Sequence, residues 1–171
     1  LKNKYLQLFL TSNILIILDQ FTKFLVALHI PQNVSVRIID NFFNLTHIRN
    51  PGVAFGLFAD NDLEFKATLF IVFSAIAIVA ILVFFHETPS HKKIALVGLI
   101  LIFSGAIGNL IDRILYKEVI DFIDFHFGSY HWPAFNIADS CITIGVVFMF
   151  IAMIKDGAAP QRPQGTSSES A

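Results

Sequence analysis

"FNIADSCITIGVVFMFIAMI", residues 135–154, decides how the chain is read. From Cys141 to Ile154 it carries no charge, a composition made for lipid. Its front end breaks that rule with Asn136 and Asp139, one helical turn apart and so on a single helix face. A carboxylate and an amide at the mouth of an apolar segment need a reason to be there.

The rest of the chain has the same character. Of its 171 residues, 55% are hydrophobic and 15% charged, whereas a soluble domain carries about a quarter charged residues. The apolar residues come in long blocks, and Phe alone supplies nineteen. This is the composition of an integral membrane protein. A net charge of −1 gives no basis for nucleic-acid binding. The lone Cys141 offers neither a disulfide nor a thiolate metal site.

A membrane-crossing helix needs about 20 mostly apolar residues. Stretches 6–29, 65–86, 94–111 and 137–154 approach that length. The fold class expected is an all-α membrane protein with four transmembrane helices, residues 1–156 forming one domain and 157–171 a disordered cytoplasmic tail. The first stretch follows Lys2 and Lys4 as a signal peptide would. No small-residue cleavage site comes after it, and Asp19, Gln20 and Lys23 interrupt it, so it reads as a retained span. Lys2, Lys4, Lys92, Lys93, Lys155 and Arg162 flank the ends that would share a side, which places both termini in the cytoplasm. Arg37, Arg49, Lys66, Arg113 and Lys117 near the other face narrow that margin.

Between the spans, "VSVRIID" (34–40) and "FNLTHIRN" (43–50) alternate as strands do, giving a small extracytoplasmic β element. "NPG" (50–52) turns the chain. Residues 113–136 form a short extracytoplasmic helical or loop segment whose Tyr, Trp and Phe residues suit headgroup level.

Charges within the spans carry the functional signal. Asp19 and Lys23 are neighbours on one helix face; Asn109, Asp112 and Arg113 end the third span; Asn136 and Asp139 begin the fourth; Asp121 and Asp124 lie between these two. A charge at the bilayer centre costs at least about 2.5–3.5 kcal/mol, so such groups face a bundle interior or a wet cavity. All of them map to the external ends of their spans, at one depth near the outer leaflet, beside the small residues Gly105, Ala106 and Gly108. Two carboxylates brought together cannot both ionise, so they hold one proton between them. One then activates a water while the other protonates the leaving amine.

Taken singly, each group has a plainer explanation. Asp139 can cap a helix, Asp112 can pair with Arg113, and Asp19 with Lys23 can be an intrahelical pair. Convergence at one depth favours a site. Spacing alone leaves the partner of Asp139 open among Asp112, Asp121 and Asp124. Asp112 is tempting because "GNLID" and "FNIAD" share a spacing, but Arg113 beside it would hold it ionised.

Other chemistries find less support. Six histidines include no His-Glu-x-x-His, and the pairs His86/His91 and His126/His131 are five residues apart, which disfavours a metallopeptidase. No Gly-x-Ser-x-Gly occurs, and only Thr22 stands beside Lys23 as a hydroxyl for a lysine dyad. A small transporter or channel would want charges through the full thickness, yet the second span has only Lys66 near one end.

Five motifs in order, "DQFTK" (19–23), "RNPGVAF" (49–55), "GAIGNLIDR" (105–113), "VIDFIDF" (119–125) and "FNIADSCITIG" (135–145), resemble those of the bacterial lipoprotein signal peptidases, the signal peptidase II family, over about residues 10–155. The resemblance implies an inner-membrane aspartyl endopeptidase, the target of globomycin. It would remove the signal peptide of a diacylglyceryl-modified prolipoprotein by cutting just before the lipidated cysteine. It implies Asp121 and Asp139 as the catalytic pair, with Asp19, Lys23, Asn50, Gly52, Asn109, Arg113 and Asn136 lining or supporting the site. No metal and no cofactor are implied. The expected partners are the diacylated prolipoprotein and membrane lipid, the protein itself being a monomer. Ser104 stands where the family has a further glycine.

Overall fold

The structure is a computed structural model and describes residues 3–52 and 63–157. Four long helices dominate it: α1 (Lys4–His29), α2 (Leu63–Glu87), α3 (Lys93–Tyr116) and α4 (Ile137–Gly157). All four are long and apolar enough to cross a membrane. Much of their apolar surface faces outward, including Phe9, Ile14, Phe24, Ile76 and Phe150, as lipid contact demands.

The starts of α1 and α3 share one end of the bundle with the ends of α2 and α4. There the Lys4 ammonium donates to the carbonyls of Phe85, His86 and Thr88, closing the C-terminus of α2, while Lys92 pairs with Asp156 at 2.7 Å. Phe85, Leu96, Leu99 and Ile100 form a buried apolar cluster near this end.

Helices α3 and α4 approach closely because small residues face each other. A Cβ on Gly105 would lie 2.2 Å from the carbonyl oxygen of Ala138, and one on Gly98 would lie 2.9 Å from that of Gly145. Ser104, beside Gly105, is buried and donates to the carbonyl of Ile100.

At the opposite end lies an antiparallel sheet of order β1-β2-β3-β4: β1 (Ser35–Ile39), β2 (Phe43–Asn50), β3 (Val119–Phe127) and β4 (Tyr130–His131). The first two strands match the alternation read from 34–40 and 43–50. The segment 113–136 differs from the expected helix or loop. Helix α3 runs on to Tyr116, Lys117 stops it in the left-handed conformation (φ 66°), and β3 and β4 follow as a hairpin. The physical reason is that β3 is buried on both faces for most of its length, so polar and apolar residues do not alternate to announce a strand. The sheet packs on the end of α1 through Val26, Ile30, Ile120 and Phe122.

The third span also outruns its apolar stretch, since Asp112 and Arg113 continue the helix once they have partners. Val53, Ala54 and Phe55 of the "RNPGVAF" motif and the tail from residue 158 onward lie outside the described residues.

Candidate active site

The polar residues singled out above converge between the sheet and the helix ends. Asn136 and Asp139 form a reciprocal cap at the start of α4. Asp139 N–H donates to Asn136 Oδ1 at 2.9 Å, and Asn136 N–H donates to Asp139 Oδ2 at 3.2 Å. The plainer explanation of Asp139 is therefore true as far as it goes. Its other oxygen points away from the cap and accepts from Asn109 Nδ2 at 2.7 Å.

Asn136 ties this helix end to the sheet. Its side-chain amide donates to Asp121 Oδ1 at 2.8 Å, to the carbonyl of Ile120 at 3.2 Å and to Asn109 Oδ1 at 3.3 Å. Asp121 sits on β3 rather than on a loop, and the isolated bridge between Ile123 and Phe135 draws that strand against the entry to α4. One fully buried residue, Asn136, thus contacts both Asp121 and Asp139.

Strand β2 supplies the second hold on Asp121. Asn50 Nδ2 donates to Asp121 Oδ2 at 3.0 Å, while Asn50 Oδ1 accepts the Gly52 N–H at 2.8 Å. Gly52 has φ +84°, and a Cβ there would lie 2.7 Å from the Phe70 ring, so the turn that orients Asn50 requires glycine twice over. Asp121 is 3% exposed. Burial, aided by the facing Asp139 charge and opposed by the Asn50 and Asn136 hydrogen bonds, pushes its carboxyl up to about 6.

Beneath this pair lies a second set of carboxylates. Lys23, 2% exposed, places its ammonium 2.8 Å from Asp19 and 2.9 Å from Asp112 and donates to Asn109 Oδ1 at 3.1 Å. Asp19 also accepts the Ala138 N–H at 2.8 Å, capping α4 from a different helix. Asp112 accepts the Ile120 N–H at 3.1 Å, and so fixes the start of β3. The expected Asp112–Arg113 pair is absent among the described residues; Arg113 instead lies over the Phe70 ring at 5.5 Å and donates to the Asn109 carbonyl at 3.4 Å. Successive helical residues point to different sides, which carries Asp112 inward to Lys23 and Arg113 away from it.

Two residues outside the expected site set also contribute. Gln20 donates to Asp112 Oδ1 at 2.9 Å and to the Gly108 carbonyl at 3.1 Å, and its place beside Asp19 in a span was the available signal. Asp124 accepts from Asn44 at 2.9 Å and pairs with His131 at 2.9 Å, which ties β4 to β3 and β2. Burial raises the Asp124 carboxyl, but the Asn44 and His131 hydrogen bonds outweigh it and leave the group below its usual range. His126 and His131 stack at 4.8 Å, and no group of three His, Cys, Asp or Glu able to hold a metal ion occurs among the described residues.

Residues 11–155 match the family model described as signal peptidase (SPase) II. The chain belongs to the signal peptidase II family. It is 50% identical over 145 residues to the lipoprotein signal peptidase of Desulforapulum autotrophicum, covering 84% of this chain and 90% of that one. Identity to the lipoprotein signal peptidase of Syntrophus aciditrophicus is 44% over 155 residues, covering 91% and 96%. A bacterial membrane enzyme solved by the in meso method superposes with a TM-score of 0.80 at 35% identity, covering 94% of each chain. Members of the family are aspartyl peptidases of prolipoproteins, and with its four membrane-capable helices the chain is a multi-pass protein of the bacterial inner membrane.

Proposed function

We propose that Asp121 and Asp139 are the catalytic pair of this signal peptidase II, and that Asp121 carries the proton of the resting pair. The observation that supports this is Asn136 contacting both carboxylates while neither has a cation within salt-bridge distance among the described residues. Half-buried Asp139 acts as general base on a water, which attacks the carbonyl carbon of the residue before the lipidated cysteine. Asp121, the more deeply buried, holds its proton toward the carbonyl oxygen and then gives it to the departing amine of the cysteine. Asn50, Asn109 and Asn136 hold the oxygens in place, and Asp19, Lys23 and Arg113 support them from the helices.

In this reading the sheet end of the bundle faces outward from the cytoplasmic membrane and both termini lie inside. The lysines at the helix ends opposite the sheet support that orientation. The scissile bond, tethered by the substrate's acyl chains, then lies at the outer leaflet, level with the pair. The protein works as a monomer, its residues 1–156 forming one domain.

Mass spectrometry of a diacylated prolipoprotein peptide incubated with the purified protein tests this. Cleavage just before the lipidated cysteine, unchanged by EDTA and lost in Asp139→Asn, is expected. Cleavage retained by Asp139→Asn removes that residue from the pair.

A further inference from the structure

We infer that the end of the bundle opposite the sheet holds an anionic phospholipid between α1 and α3, far from the reacting carboxylates. A cavity of about 510 Å³ opens there. Its mouth is formed by Gln7 of α1, by Ser90 and His91 of the turn between α2 and α3, and by Lys93 at the start of α3. Leu96, Val97 and Ile100 line it farther into the bundle. In the orientation proposed above this is the cytoplasmic leaflet, but the site itself does not depend on the catalytic pair.

The spacing of these residues makes a slot. Positions 93, 96, 97 and 100 share one face of α3, and that face covers about 10 Å along the helix axis. An ammonium therefore stands at the head of an apolar strip, in the order of a phosphate headgroup followed by an acyl chain. Helices α1 and α3 are the two that Lys23 and Asp112 join near the sheet, so a lipid in the slot fastens the same pair at its other end.

Charge selects the headgroup. Lys4 is engaged by the carbonyls that close α2, and Lys92 by Asp156. Among the described residues the carboxylates of this end are Glu87 and Asp156, and both border a different cavity, between α2 and α4. No carboxylate lines the slot, and among the described residues the Lys93 side chain has no hydrogen-bond or ion-pair partner. His91 and Lys93 also border a neighbouring cavity of about 360 Å³, where Lys155 adds a second ammonium and Asp156 is already bound by Lys92. A phosphodiester supplies the missing negative charge, as in basic pockets between membrane helices generally. Lysines that serve only to orient a chain extend to the headgroups by themselves and need no slot.

Thermal unfolding of the purified full chain in detergent, titrated with phosphatidylglycerol, phosphatidylcholine or inorganic phosphate, tests this. Phosphatidylglycerol should raise the unfolding temperature to a plateau, and the other two should not. Lys93→Gln should weaken that binding about fivefold. Val97→Trp, which fills the slot and leaves every charge in place, should weaken it about tenfold, while Lys93→Arg should keep it. Both side chains are exposed, so cleavage of lipidated peptide in phospholipid-free detergent should stay at the wild-type rate in all three variants, which shows that they fold. An equal rise with phosphatidylcholine, or with inorganic phosphate alone, overturns the inference. So does weakening in Lys93→Gln alone, as attraction to a charged surface would give, in Val97→Trp alone, as contact with any hydrocarbon would give, or in neither.

Discussion

Two pairs of carboxylates lie at the same end of this helix bundle, and they are held in opposite ways. Asp19 and Asp112 share the ammonium of Lys23 at 2.8 and 2.9 Å and each caps a backbone N–H. Among the described residues, Asp121 and Asp139 receive amide donors only, from Asn50, Asn109 and Asn136. A cation at contact fixes the charge of its carboxylate, whereas an amide fixes the position of the oxygens and leaves the proton free to move. In the function proposed above, the same residue type is framework in one pair and reactive in the other, and the partner decides which.

The most severe way to break this comparison is substitution in the reactive pair. Asp121→Asn and Asp139→Asn should each lower the cleavage rate by about 10²–10⁴-fold or more, measured by mass spectrometry on lipidated peptide, with thermal unfolding still cooperative. Lys23→Met tests the framework pair, since it leaves two carboxylates buried without their cation. Destabilisation of about 3–5 kcal/mol is expected from unfolding in detergent, and a loss below about 1 kcal/mol would mean that Lys23 does not hold the frame.

The pH dependence sharpens the same contrast. The folded-state pKa of Asp121 is raised to about 6, so the stability this group contributes is complete at acid pH and is lost as pH rises through about 6. Asp124, held below its usual range by Asn44 and His131, contributes with the opposite sign: its share is present above the ordinary carboxylate range and lost as pH falls below it. Unfolding temperature followed against pH should therefore lose its fall near pH 6 in Asp121→Asn and keep it in Asp124→Asn. The kcat/KM profile should bend downward on the alkaline side near the same value, where the acid is lost from the free enzyme. The smallest effect belongs to His131→Ala. That ring is half exposed, so its pair with Asp124 is worth less than about 1 kcal/mol, seen as a slight shift in unfolding temperature.

What the sequence discloses follows physical range. Spans α1 to α4 are legible because long apolar runs leave no other structure possible in lipid. The strands at 34–40 and 43–50 are legible because residue type alternates along them, while β3 is hidden by burial on both faces. The Asn136–Asp139 cap is a local spacing and can be read directly. The union of Asp121 with Asp139 cannot, because it depends on β3 pairing with the chain at Phe135, a contact no spacing encodes. For the same reason the sequence suggests only Arg113 or Asp139 as partners of Asp112, when its cation, Lys23, lies on α1, far along the chain. Family resemblance named the pair that periodicity left open.

The central claim is that the one proton held among these carboxyls belongs to the amide-bound pair. Infrared difference spectroscopy of the purified protein, titrated through pH 6, measures it through the stretching band of a protonated carboxyl. The account predicts a band that fades with a midpoint near 6, is missing in Asp121→Asn and survives in Asp112→Asn. A band that persists in Asp121→Asn and vanishes in Asp112→Asn would contradict it.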